Sequence, residues 1–254
     1  MRLRVYRGGC SFGTGEVVTR RILPDLTGFG YPIGTSAGKR VYDGIRSLHR
    51  FRPLALGRQL GHTCRMADPR HPAFFGYGSL VNRATHDYAP GEPALLRGWR
   101  RTWRHTRLRP WPYLSAEPAE SEIEGLVAAV PGDDWALLDQ REAAYRRHTL
   151  AHEHITSSPG WADRVEIYAV DEVNAAKAAV HPILLSYLDT VVQGFLREFG
   201  EAGVARFFAT TTSWTALLDD REEPIYSRHQ RATASERALT DGHAEALGLA
   251  RRRG

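Results

Sequence analysis

The order of periodicities after residue 70 constrains the fold most. Three apolar runs of strand character come first: AFFGYGSL from Ala73, PALLRGWRRTWRHT from Pro93, and IEGLVAAVP from Ile123, the last closed by Pro131 and Gly132. Leu96, Trp99 and Trp103 are candidates for burial in the second. Helical spacing begins only after Asp133 and Asp134, either of which can cap a helix starting at Trp135. That helix, DDWALLDQREAAYRRH, places Leu137, Leu138 and Ala144 roughly on one side. Two further strand runs follow, TLAHEHITSS and DRVEIYAV. The clearest amphipathic helix comes next, HPILLSYLDTVVQGFLREFGEAGVARFFAT, with Leu184, Leu188, Val191, Val192, Phe195, Leu196 and Phe199 at helical spacing. Gly200 and Gly203 are expected to end it and permit a second short helix. The tail, from DDREEP onward, is polar and expected to wrap the surface, its carboxylates solvated. Strand runs interrupted by helices predict an α+β domain over residues 71–254: a small mixed β-barrel with flanking helices, C-terminal helices and a polar tail.

Charge separates a leading segment from this body. Residues 1–65 carry twelve basic and three acidic side chains, a balance of +9, whereas the rest of the chain carries 22 basic and 26 acidic, a balance of −4. A basic arm can contact nucleic acid, but this one has neither clustered lysines nor a recognisable module, so a poorly ordered extension over residues 1–70 is expected. Met66 stands where charge and composition shift, and is a candidate natural start. Both cysteines, Cys10 and Cys64, lie before it, so thiol catalysis, cysteine zinc sites and a disulfide framework are excluded from the body. The sequence has no apolar run of about 18 residues and no apolar core of a signal peptide near its start, so neither a membrane span nor secretion is expected, and a cytoplasmic location is.

Two short stretches can carry chemistry. In Gly76-Tyr77-Gly78-Ser79-Leu80 a buried strand runs into two glycines and a hydroxyl. Glycines there let the chain approach a ligand closely or take positive φ, and amides after a strand end make an anion site. No Lys follows and a third glycine is missing, which excludes a Walker loop and a dinucleotide fingerprint. A small carboxylate suits the site; a β-bulge or tight turn without a ligand is the other reading. In the second stretch, Asp139 and Glu142 fall one turn apart on the expected helix, with Ala143 and Ala144 beside Glu142. A carboxylate packed there is pushed towards neutrality and can serve as a general base. By residue type alone, an exposed carboxylate paired with Arg141 or Arg146 is the commoner outcome.

FFGYGSL followed by RGWRRTW and LLDQREAAYRR resembles the γ-glutamylcyclotransferase superfamily, which includes ChaC-like and AIG2-like proteins, over roughly residues 73–170. The family pattern is a Tyr-Gly-Ser loop ending the first strand, a Gly-aromatic-Arg-Arg segment, and a Glu within Leu-Asp-x-x-Glu with a Tyr nearby. Val81-Asn82 stands where ChaC members usually have Ile-Trp, and Tyr145 comes three residues after Glu142 rather than four. The resemblance implies Glu142 as the catalytic residue and Gly76, Tyr77, Gly78, Ser79, Leu80 and Tyr145 as substrate-binding residues. It implies no metal and no cofactor. The implied substrate is a γ-glutamyl amide whose α-amine attacks its own γ-carbonyl, releasing 5-oxoproline; the leaving group stays open among glutathione, γ-glutamyl amino acids and γ-glutamylamines. A non-catalytic member of the same fold, binding a small carboxylate or a protein partner, is the alternative.

Other residues fit their surroundings more simply. His148, His152 and His154 have metal-ligand character, with His152 and His154 on one face if they lie on a strand, but an exposed strand face explains them. The six tryptophans with neighbouring arginines can stack on single-stranded nucleic acid, yet the acidic body opposes a phosphate footprint and core packing accounts for them. No nucleic-acid or membrane partner is expected, and oligomeric state is not readable.

Overall fold

The first strand, β1 (His71–Gly76), is buried from Ala73 to Gly76 because both its faces and both its edges are covered. In the computed structural model, which describes residues 70–176 and 180–253, β1 pairs antiparallel with β3 (Tyr113–Ala129), Ala73 opposite Ala129. On its other edge it runs parallel to β6 (Ala162–Val170), Phe74 opposite Glu166. A strand so enclosed needs no polar alternation, and Ala-Phe-Phe supplies none. The expectations for the basic arm and for Met66 lie outside the described residues.

The long hairpin of β2 (Gly91–Arg104) and β3 forms the backbone of the sheet, with a bulge between Arg97 and Trp99 where Gly98 takes φ +81°. β4 (Tyr145–Thr149) pairs antiparallel with β6 at one edge; β5 (Ile155–Thr156) and later β8 (Thr211–Thr212) share the outer edge of β2. The seven-stranded mixed sheet, ordered β4-β6-β1-β3-β2-β5, curls into a half-barrel with helices beside it, the α+β architecture expected. β7 (Ile183–Leu184), β9 (Leu217–Asp219) and β10 (Arg251–Arg253) form a small parallel sheet.

One helical and one strand expectation change. The first helix, α1, spans only Ala136–Arg141; Glu142 ends it, and Tyr145–Thr149, expected as its last turn, is strand β4. Leu138 is buried but Leu137 is 71% exposed. TLAHEHITSS is a 3-10 turn at His152–His154 followed by a two-residue strand, so the two histidines share no strand face.

The second helix, α2 (Leu185–Thr210), follows its pattern from Leu188 onward, with Leu184 lying in β7 instead, and breaks at Gly200 with φ +66°. Gly203 lies inside the second segment rather than at a helix end. Leu188, Val191, Val192, Phe195, Val204 and Phe207 on α2 are fully buried in one cluster with Phe74, Leu96 and Leu126 of the sheet. Burying these side chains contributes about 1.5–3 kcal/mol each.

The tail is less of a wrapper than its polarity suggests. It forms α3 (Ala234–Ala246), opened by a capping box between Thr233 and Glu236. DDREEP is not solvated as a unit. Asp220 is buried, accepting from the Ser186 amide at 2.8 Å and the Ser186 hydroxyl at 2.5 Å, and so caps the start of α2, which has no side-chain cap from its own N-cap residue. Arg221 pairs with Asp189 of α2 at 2.7 Å and with Asp241 of α3 at 2.9 Å. These contacts tie residues 219–228 to the start of α2.

Candidate active site

A cavity of about 450 Å³ opens at the end of β1. Its floor is the turn Gly76–Leu80, its sides come from residues 108–114 and 140–145, and its remaining wall is Tyr187 with Tyr226, Ser227 and Arg228. Among the described residues, all seven residues that the sequence marks out line this one cavity: Glu142, Gly76, Tyr77, Gly78, Ser79, Leu80 and Tyr145.

The turn is built by close packing rather than by unusual dihedrals. Neither Gly76 nor Gly78 takes positive φ. A Cβ on Gly76 would lie 2.7 Å from the Leu80 Cβ, and one on Gly78 would lie 2.9 Å from the Tyr187 hydroxyl. The bare backbone therefore makes room first for the protein's own side chains, letting Ser79–Val81 coil into a 3-10 turn. That turn takes up the Val81 and Asn82 amides, on Gly78 O and Ser79 O. The Gly78, Ser79 and Leu80 amides have no backbone acceptor among the described residues.

Three anchors fix the turn. Asn82 is fully buried: it donates to Thr190 O at 2.9 Å and to Gln193 at 3.0 Å, packed against Gly194 of α2. The Tyr77 hydroxyl donates to Tyr168 O at 2.5 Å, and burial pushes that phenol well above its ordinary value. The third anchor is Arg101, 1% exposed, which donates to Tyr77 O at 3.1 Å, Glu124 O at 2.5 Å and Thr210 Oγ1 at 2.9 Å. Its guanidinium lies 4.8 Å from the Phe195 ring and 5.2 Å from that of Phe207. Burial pulls it down to about 9, with Glu124 opposing, so it stays charged at neutral pH.

Glu142 faces the turn across the cavity. As the C-cap of α1 it bonds its amide to Leu138 O at 2.9 Å and accepts the Tyr145 amide at 2.8 Å, a tight reversal that sends the chain into β4 and the carboxylate inward. The side chain is 14% exposed. Burial pushes its carboxyl up, while Arg141, Arg228 and Arg109 pull it down; the net shift is upward. Arg141 joins the two stretches: its Nε lies 3.0 Å from Glu142 Oε1, and its other nitrogens donate to Thr85 O at 2.9 Å and Ser79 Oγ at 3.3 Å. Glu142 is thus both paired with Arg141 and buried, so the two sequence readings of this carboxylate are not exclusive. Asp139, its expected neighbour on a helix face, points elsewhere, to Tyr168 and Arg147.

Tyr145 lines the cavity with its ring; its hydroxyl is taken by Leu114 O at 3.0 Å. Arg101, Tyr187, Tyr226, Arg109 and Arg228 carry no role in the sequence reading. Arg101 had a legible signal: in a period-two strand it shares the face of Trp99 and Trp103, an inward place for a charge. Among the described residues, no group of three or more His, Cys, Asp or Glu side chains is placed to hold a metal ion, and no helix is long and apolar enough to cross a membrane.

A half-barrel with a glycine turn facing a buried carboxylate defines a class, and sequence comparison gives it a family. Residues 74–187 match the family described as "Gamma-glutamyl cyclotransferase, AIG2-like". That segment belongs to the γ-glutamylcyclotransferase superfamily. Similar solved structures include YkqA from Bacillus subtilis, 17% identical over 56% of each chain with a TM-score of 0.41. They also include a glutathione-specific γ-glutamyl cyclotransferase from yeast, 15% identical over 69% of this chain and 96% of that one with a TM-score of 0.33. The Arabidopsis thaliana protein At5g39720.1 is 21% identical over 45% of this chain and 80% of that one, with a TM-score of 0.29. The match spans only 56% of the length of the Bacillus protein. No curated protein matches the sequence.

Proposed function

We propose that the protein is a γ-glutamylcyclotransferase-type enzyme that releases 5-oxoproline from a γ-glutamyl amide. The observation that carries this reading is the placement of a buried carboxylate, Glu142, in one cavity with the Gly76–Leu80 turn, the two bridged by Arg141.

The substrate's α-nitrogen attacks its own γ-carbonyl carbon. The new C–N bond closes a five-membered ring, the old C–N amide bond breaks, and an amine departs. Because nucleophile and electrophile belong to one molecule, the protein has mainly to hold a near-attack shape, which the cavity walls do. Two proton movements remain. Glu142 takes a proton from the α-ammonium, then returns it to the departing nitrogen. An upward-shifted carboxyl is suited to both steps near neutral pH, since it lies closer to its own half-titration than an ordinary Glu. The amides of the Gly78–Leu80 turn, with the Ser79 hydroxyl, receive the α-carboxylate or the oxyanion that develops on the γ-carbonyl. Tyr77 and Tyr145 offer ring surface to the glutamyl chain.

Glu142→Gln keeps size and loses the base. Purified Glu142→Gln is expected to release no measurable 5-oxoproline while keeping the wild-type circular-dichroism spectrum. Release at the wild-type rate would overturn the assignment.

A further inference from the structure

The cavity has an unbalanced charge at its mouth. Among its lining residues Glu142 is the sole carboxylate, against three guanidiniums: Arg141, Arg109 and Arg228. Arg141 is matched by Glu142. Arg109 and Arg228 form no ion pair with a carboxylate among the described residues, although the surface is otherwise rich in such pairs. Both are exposed, whereas Tyr77 and Leu80 at the floor are buried, so these two cations stand at the entrance.

They are also held there. Arg109 lies over the Tyr113 ring at 5.4 Å. Arg228 sits on the segment that Asp220 and Arg221 fasten to α2, beyond residues 74–187. The γ-glutamyl unit brings one ammonium and one carboxylate, which cancel. A ligand that balances the remaining two cations therefore carries additional negative charge on its leaving group.

We propose that Arg109 and Arg228 form a carboxylate-reading rim, so that the leaving group is an amino acid or peptide with a free carboxylate rather than a neutral or cationic amine. This rests on the cyclotransferase reading and adds the substrate class to it. Gln140 and Ser227, the other exposed polar residues of the lining, are neutral and do not compete for the carboxylate.

The test compares γ-glutamyl-alanine with γ-glutamyl-alaninamide, which differ only in carboxylate against carboxamide. Exposed ion pairs contribute a factor of about two to five each, so wild-type kcat/KM for 5-oxoproline release should favour the acid by about tenfold. Arg109→Gln and Arg228→Gln should each cut that ratio by about two- to fivefold, the double variant should bring it near one, and added salt should shrink it in the wild type. Any effect of either arginine on Glu142 acts equally on both compounds and leaves the ratio untouched. A wild-type ratio near one, or a ratio unmoved in the double variant, overturns the rim while leaving the cyclotransferase reading intact. Release from no γ-glutamyl compound overturns the cyclotransferase reading. Calorimetric titration of the Glu142→Gln protein with the same pair then decides the rim by itself: equal affinities for acid and amide overturn it.

Discussion

Two of the domain's arginine–carboxylate pairs are largely buried on both sides, and their surroundings differ. Arg221 and Asp189 are 6% and 4% exposed, and Arg221 also holds Asp241. Both Asp189 oxygens are engaged, at 2.7 and 2.8 Å. Arg141 and Glu142 are 8% and 14% exposed, but only Glu142 Oε1 is engaged; Oε2 has no partner among the described residues and belongs to a residue of the cavity wall. The first pair joins α2 to the segment after β9 and to α3. The second leaves Oε2 without a hydrogen bond among the described residues, on a side chain that lines the cavity. A saturated buried pair acts as a fastener, whereas one with a vacant oxygen has capacity left for a proton. Burial pushes both carboxyls up, with the neighbouring arginine opposing in each case, so the shift alone does not distinguish them; the vacancy does.

Removing the arginines in turn is the strongest way to break this contrast. Arg221→Met strands Asp189 in the interior and should cost about 3–5 kcal/mol in urea denaturation. Arg141→Met should do the reverse. Its carboxylate partner can be hydrated from the cavity, so stability should drop by about 1 kcal/mol or less, while kcat falls by about a hundredfold as Ser79 and Glu142 lose their common tether. Equal effects of the two changes on stability would erase the distinction.

Titration sharpens it further. The base must be ionised to accept a proton, so kcat/KM should fall on the acid side through the raised value of Glu142, above the usual carboxylate range near 4.3. Arg141→Met removes the largest influence opposing that rise, so its acid limb should move to still higher pH. The linked effect on folding is smaller and has a definite sign. A carboxyl raised in the folded state binds more protons there than when unfolded, so its contribution to stability declines as pH climbs from the unfolded value through the folded one. Urea midpoints across that range should decline less in Glu142→Gln than in the wild type.

The residue types of the site were legible in the sequence, and their placement was only half so. FFGYGSL gave the strand and the turn because glycine spacing and an unbroken apolar run are local signals. Glu142 was legible as a carboxylate among alanines, but not as the residue that ends a helix: the stretch after it carries helix-compatible residues, and only pairing with β6, Tyr145 opposite Val170, makes it a strand. Local pattern likewise hid the tail. Asp220 and Arg221 look solvated until Ser186 and Asp189 are set beside them, some thirty residues away in the chain. The same long-range contacts bring Tyr226 and Arg228 into the cavity wall, where no motif announces them. Arg101 is the converse case, a charge at an inward strand position that alternation alone could flag.

Arg101 carries a practical consequence. One guanidinium fastens the carbonyl of Tyr77, the carbonyl of Glu124 and the end of α2, which makes it the keystone beneath the turn. Reshaping that turn would mean rebuilding the centre of the molecule. The loops at the entrance hang from other supports, so a mutagenic library confined to residues 107–111 and 225–229 can reshape the entrance without touching the masonry underneath.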